Sequence, residues 1–134
     1  MKYLRSSLCA IALCSFGVAH AIDDLGSAPV KINKIDGLVT SLKGMTLYTF
    51  DKDVPGSGKS ACNGPCAEIF PPFKADPDEV MGVNFKVITR DDGTRQWTYK
   101  GKPLYLYSKD QKPGDKTGNK LDKVWHDVHV PISR

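Results

Sequence analysis

Apolar and polar positions alternate over short stretches of this chain, and Gly or Pro interrupts each stretch before it can lengthen. Side chains at every second position share one face of a strand, so this period predicts strands rather than helices. Val30–Ile35 alternates in part, and Asp36-Gly37 follows as a turn. Leu38–Leu42, Lys43-Gly44 and Met45–Phe50 read as a hairpin whose Gly supplies the positive φ of a tight turn. Tyr48 and Phe50 then share one face, Leu47 and Thr49 the other. Asn84–Arg90, Gln96–Tyr99 and Pro103–Tyr107 are the next three strand signals, joined by Asp92-Gly93 and Lys100-Gly101 into a β-meander. Val124–Val130, β-branched and aromatic, is the last, and Pro131 stops it. Asp51–Ala61 and Lys109–Lys123 are long polar loops, and Phe73–Met81 is a connector. Pro65 opens a helical turn that Pro71-Pro72 must end. About seven short strands with at most one short helical turn predict an all-β fold of antiparallel β-meander units, as a small sandwich, barrel or sheet.

The strand pattern is also duplicated. Gly44-Met-Thr-Leu-Tyr-Thr-Phe-Asp-Lys-Asp53 matches Gly101-Lys-Pro-Leu-Tyr-Leu-Tyr-Ser-Lys-Asp110 at a constant offset of 57 residues, and both copies run on into Pro-Gly. Two related units, about 38–75 and 84–130, are therefore expected within one all-β domain spanning 22–134.

With 134 residues, 40% hydrophobic and 25% charged, the composition is that of an ordinary globular chain. Residues 1–21 form a secretory signal: Lys2 and Arg5, then apolar Leu8–Val18, then Ala19-His20-Ala21 as a small-x-small cleavage site. That apolar run falls short of the roughly 20 residues a transmembrane helix needs. No transmembrane segment is expected, and the chain is read as soluble, periplasmic or secreted, after cleavage near Ala21. Cleavage removes two of the 19 Lys/Arg and none of the 15 Asp/Glu, leaving 17 against 15. So even a balance excludes a nucleic-acid partner, which selects clustered cations. It also removes Cys9 and Cys14, and the remaining even pair, Cys62 and Cys66, points to a disulfide in an exported chain.

These residues resemble a known family, the small exported proteins and lipoproteins with a repeated Tyr-x-aromatic-x-x-Asp motif, described as secreted repeats of unknown function. The motif stands here as Tyr48-Thr-Phe50-Asp-Lys-Asp53 and Tyr105-Leu-Tyr107-Ser-Lys-Asp110. The likeness extends to Gly58-Lys-Ser-Ala-Cys62 with Cys66, the run from Asp92-Gly93 through Gln96-Trp-Thr-Tyr99, Pro113-Gly114-Asp115 and Trp125-His126, roughly residues 40–130. Two features depart from it: Phe70 stands where many relatives have Trp before Pro-Pro, and the signal has no lipobox Cys. The resemblance implies export and a repeat-built fold, and it brings no established catalytic residues.

Several side chains invite a chemical role, each beside a plainer one. Cys62 and Cys66 serve as a structural crosslink, a redox pair or half of a metal site; a closed loop of about five residues restrains the unfolded chain by ~2 kcal/mol. His126 and His129 complete a two-Cys, two-His set, but zinc-finger arms sit ~12–15 residues apart and these lie much farther along the chain. Asp53 and Asp110 either bind a shared ligand or accept backbone N–H groups in the loops they open. Tyr48, Phe50, Trp97, Tyr99, Tyr105 and Tyr107 form either a sugar- or peptide-binding face or a core.

No nucleophile–base order, phosphate loop or paired acid stands out, so no enzyme and no cofactor are expected. The sequence points to an exported, non-catalytic binding or envelope-associated module for an envelope protein or small ligand. Its site is expected at Tyr48, Asp53, Tyr105, Asp110, Trp125 and His126. The competing class is a periplasmic redox or copper/zinc-handling protein using Cys62, Cys66, His126 and His129.

Overall fold

Seven strands are laid out as three small antiparallel sheets in a computed structural model that describes residues 25–133. The expected signal segment and its cleavage site lie outside the described residues. The strands are β1 (Val30–Ile32), β2 (Val39–Ser41), β3 (Tyr48–Phe50), β4 (Phe85–Thr89), β5 (Arg95–Tyr99), β6 (Lys102–Pro103) and β7 (Trp125–Asp127). Sheets β1-β2, β3-β7 and β4-β5-β6 result, the last being the expected meander, and none closes into a barrel. The helical turn expected after Pro65 is α1 (Pro65–Ile69), with Pro at its start and an end at Phe70, ahead of Pro71-Pro72. A 3₁₀ turn at Leu121–Lys123 is additional. No described helix is long and apolar enough to cross a membrane.

Two expectations of pairing change. The hairpin read over Leu38–Phe50 forms through its turn, with Gly44 N–H on Ser41, Ser41 N–H on Met45 and Leu47 N–H on Val39 at 2.9, 2.8 and 3.1 Å, but it ends there, because from Tyr48 onward β3 takes β7 as its ladder partner. Pro103–Tyr107 keeps only its first residue in the β5 ladder; beyond it, Tyr105 bridges to both Tyr48 and Pro72.

The reason for both is a pseudo-two-fold relation between the copies. Val39 N–H donates to the Val128 carbonyl at 2.8 Å, as Trp97 N–H does to Phe73 at 2.9 Å. Val128 N–H donates to Leu47 at 3.0 Å, as Phe73 N–H does to Leu104 at 2.8 Å. Asp51 N–H donates to Val124 at 2.8 Å, as Ser108 N–H does to Ile69 at 2.9 Å. The last strand of each copy therefore lies in the other copy's half. The β7 side counts as a ladder and the 69–73 side does not, because Pro71 and Pro72 have no N–H to donate. On the axis, Tyr48 and Tyr105 bond to each other's carbonyls at 2.8 and 2.9 Å.

Strand alternation then sorts side chains into two cores. Leu47 and Leu104 point into one with Val39, Phe73, Phe85, Trp97 and Val128. Tyr48, Phe50, Tyr105 and Tyr107 point into the other with Phe70, Trp125 and Cys62. In this aromatic core Phe70 and Trp125, equivalent under the pseudo-symmetry, stack on each other with centroids 3.6 Å apart. Phe50 stacks on Trp125 at 4.2 Å, and its counterpart Tyr107 on Phe70 at 4.7 Å. The rings weighed in the sequence as a binding face are thus buried, with Tyr99 also reaching the wall of two surface clefts.

Trimming either central ring should cost ~3–5 kcal/mol. Because Phe70 and Trp125 share one contact, Phe70→Ala with Trp125→Ala should cost less than the two single losses together; denaturant midpoints of the three variants measure this.

Candidate functional site

The motif places Tyr one strand position after Leu, so each Tyr turns into the aromatic core, and it places Asp just past the strand end, where the loop begins. Across the axis the pairs cross over. Tyr48 donates its hydroxyl to Asp110 at 2.6 Å, and Tyr105 donates to Asp53 at 2.6 Å. The second oxygen of each carboxylate takes a backbone N–H from farther along its own loop: Ala61, at the loop's end, at 2.6 Å for Asp53, and Thr117, near the loop's middle, at 3.0 Å for Asp110. The Thr117 hydroxyl adds a further bond to Asp110. Each motif Asp therefore ties its loop shut and ties that loop to the other copy.

Burial sets the protonation of these groups. Loss of water pushes both phenols above their ordinary range, reinforced by the adjacent carboxylates, so both tyrosines stay donors. Since the single Tyr105 proton goes to Asp53, the Ser60 hydroxyl, 2.6 Å away, must donate to the Tyr105 oxygen. Burial also raises the Asp53 carboxyl, while the Ala61 N–H, the Tyr105 hydroxyl and the Arg90 charge oppose that rise. Arg90 is itself buried, donating to Gln96 at 2.7 Å, the Cys62 carbonyl at 2.6 Å and Asn63 at 3.1 Å.

The expected cluster is therefore brought together, but inward. Tyr48, Tyr105, Trp125, Asp53 and Asp110 are buried, the last two at 5% and 8% exposure, and their polar atoms answer one another. The plainer reading of the aspartates, as acceptors of loop N–H groups, is the observed one. Only His126 stands at the surface, 2.8 Å from Asp51 and 44% exposed at its side chain.

Cys62 and Cys66 are joined, with sulfurs 2.06 Å apart. A crosslinked pair offers no thiolate to a metal, and no group of three or more His, Cys, Asp or Glu suited to a metal occurs among the described residues. The set Cys62, Cys66, His126 and His129 is thus not assembled.

What does open to solvent beside His126 is a cleft of about 280 Å³ lined by Thr49, Asp51, Tyr99, Lys100, Lys102, His126, Asp127, Val128 and His129. It lies where the β3-β7 sheet meets the β5-β6 turn. Two His–Asp pairs face it, His126 with Asp51 and His129 Nε2 with Asp127 at 3.2 Å. The Asp36 carbonyl at His129 Nδ1, 2.9 Å away, holds that imidazole above its ordinary value, helped by Asp127. Lys100 sits over the Tyr99 ring at 5.5 Å. Sequence reading missed Asp51, Asp127, Lys100 and Lys102, since nothing local marks a cleft formed between separate sheets.

A family model described as a secreted repeat of unknown function matches the chain twice, over residues 31–74 and 86–129. The two matches coincide with the two pseudo-symmetric copies, each running from its first hairpin to the strand it lends to the other half. No curated protein and no solved structure matches.

Tyr48→Phe should cost about 1.5–3 kcal/mol by stranding the Asp110 carboxylate, and Tyr48→Phe with Asp110→Asn should show a clear coupling energy in a double-mutant cycle. No coupling is expected between Tyr48→Phe and Asp53→Asn. His129 stabilises the fold while protonated, so its contribution is complete below about pH 6.5 and is lost as pH rises through its higher folded value. Melting temperature should fall over that window in the wild type, and less steeply in His129→Gln.

Proposed function

The chain belongs to the family of secreted repeats of unknown function, and we propose that it works as an exported, non-catalytic binding or envelope-associated module. In this reading the motif Tyr and Asp residues are framework, and the ligand surface is the His126–His129 cleft. The observation that carries it is the pairing of two half-exposed imidazoles with two carboxylates around one opening that also presents Lys100 and Lys102. Because Asp51 and Asp127 already face the imidazoles, the lysines are left to meet an incoming anion. The cleft suits a carboxylate or phosphate of a small ligand or partner, held more tightly when His129, raised by the Asp36 carbonyl and Asp127, is charged.

A redox role is the second reading. It is favoured by unequal burial, since Cys62 is fully buried while Cys66 is partly exposed and open to an external thiol.

Amide chemical shifts followed during titration with inorganic phosphate and with citrate test the first reading. Lys102, His126 and His129 should move, with affinity at about pH 5.5 several-fold above that at about pH 8. His126→Ala with Lys102→Ala should abolish the shifts with melting changed by no more than about 2 °C. Shifts spread evenly over the surface would refute the cleft. Rapid reduction of the Cys62–Cys66 bond by a dithiol protein, with no anion binding, would favour the redox reading.

A further inference from the structure

The two copies serve as each other's control, and one surface fails the comparison. Between the motif Asp and the stacked ring of the aromatic core, the first copy carries one lysine, Lys59, and the second carries four, Lys112, Lys116, Lys120 and Lys123. In both copies the motif Asp is held by a backbone N–H of its loop and by the crossed Tyr hydroxyl, bonds to which no lysine side chain contributes. Lys120 and Lys123 occupy places held in the first copy by Pro65 and Glu68, at the same distances before the stacked ring.

Acidic residues share this loop with the lysines. Of the acidic residues here, Asp110 is buried against Tyr48 and Thr117, and Asp115 is turned onto the Gln111 and Lys112 amides at 2.9 and 3.2 Å. Lys112, Lys116, Lys120 and Lys123 all remain exposed; Lys116 lies 3.6 Å from Asp127 and Asp122 stands exposed between the last two. Lys120 and Lys123 also hold φ of 64° and 62°, a left-handed backbone where Gly or Asn is the less costly residue. Cations kept at strained positions, on a loop pinned by Asp110, point to a surface used for its charge.

We propose that this Lys112–Lys123 face docks on the anionic phosphate headgroups of a lipid bilayer. It meets the cleft at the Lys116–Asp127 pair and does not depend on whether the cleft binds an anion. A loop that presents several ammonium groups to solvent suits a broad anionic surface.

The exported protein, recovered after secretion by expressing cells, is sedimented with vesicles of phosphatidylcholine alone and of phosphatidylcholine mixed equally with phosphatidylglycerol. Binding to the mixed vesicles is expected, weakening as ionic strength rises from about 0.01 to about 0.15 M and the screening length shrinks from roughly 30 to 8 Å. Lys112→Gln, Lys120→Gln and Lys123→Gln together should lower partitioning about 100-fold. Lys31→Gln, Lys34→Gln and Lys86→Gln, the same loss of charge elsewhere, should lower it by no more than about 5-fold. A second set, Lys112→Gln with Lys120→Gly and Lys123→Gly, relieves the left-handed backbone and should behave like the first set with unreduced melting temperature. His126→Ala with Lys102→Ala should leave vesicle binding unchanged, which separates this surface from the cleft. Equal losses in the loop and control sets would overturn the proposal, as would absence of binding to the mixed vesicles at low salt. Binding to soluble dextran sulfate but not to vesicles would also overturn it, and so would salt-sensitive self-association without lipid.

Discussion

The reciprocal backbone pair between Tyr48 and Tyr105 is the point from which the rest of the molecule is fixed. Once those residues bond to each other's carbonyls, strand alternation sends Leu47 and Leu104 to one side and both Tyr rings to the other. A slip of one residue would exchange Leu and Tyr between an aliphatic and an aromatic core and strand two phenols without acceptors. The crossed bonds from Tyr48 to Asp110 and from Tyr105 to Asp53 lock the register a second time, and they do so only between copies. Neither copy can close its own half. Each supplies the strand that completes the other, so most of the stabilising contacts are between residues distant in sequence.

The two halves solve one electrostatic problem differently. A buried carboxylate is costly unless its oxygens are filled. Asp53 has a single N–H from its loop, the Tyr105 hydroxyl and the nearby Arg90 charge, and the Cys62–Cys66 crosslink follows directly after its loop. Asp110 has no crosslinked loop; the Thr117 hydroxyl adds a bond that Ala61 cannot make. The disulfide thus stabilises a turn whose counterpart, around Leu121–Lys123, folds as a distorted 3₁₀ turn with left-handed residues. With the motif residues consumed as framework, the surfaces left to diverge are the loop sequences and the cleft beside β7.

Much of this was legible in the chain because it follows from local rules. The two-residue period located six of the strands and reached β6 at Pro103 alone, Asp92-Gly93 and Lys100-Gly101 fixed the β4-β5-β6 meander, and Pro65 with Pro71-Pro72 bounded α1. The constant offset of Tyr48–Asp53 and Tyr105–Asp110 marked the duplication, and the even cysteine pair marked the crosslink. Tertiary structure alone decided how the copies meet. No local signal says that β3 prefers distant β7 to adjacent β2, since pairing choice depends on which faces are buried once the chain is compact. For the same reason Tyr, Asp and Trp125, read from sequence as an exposed site, became an interior frame, while Asp51, Lys100 and His129 formed a cleft that no single segment contains. The order of residues determines what each strand can bury, and only the packing of one repeat against the other determines which polar groups water still reaches.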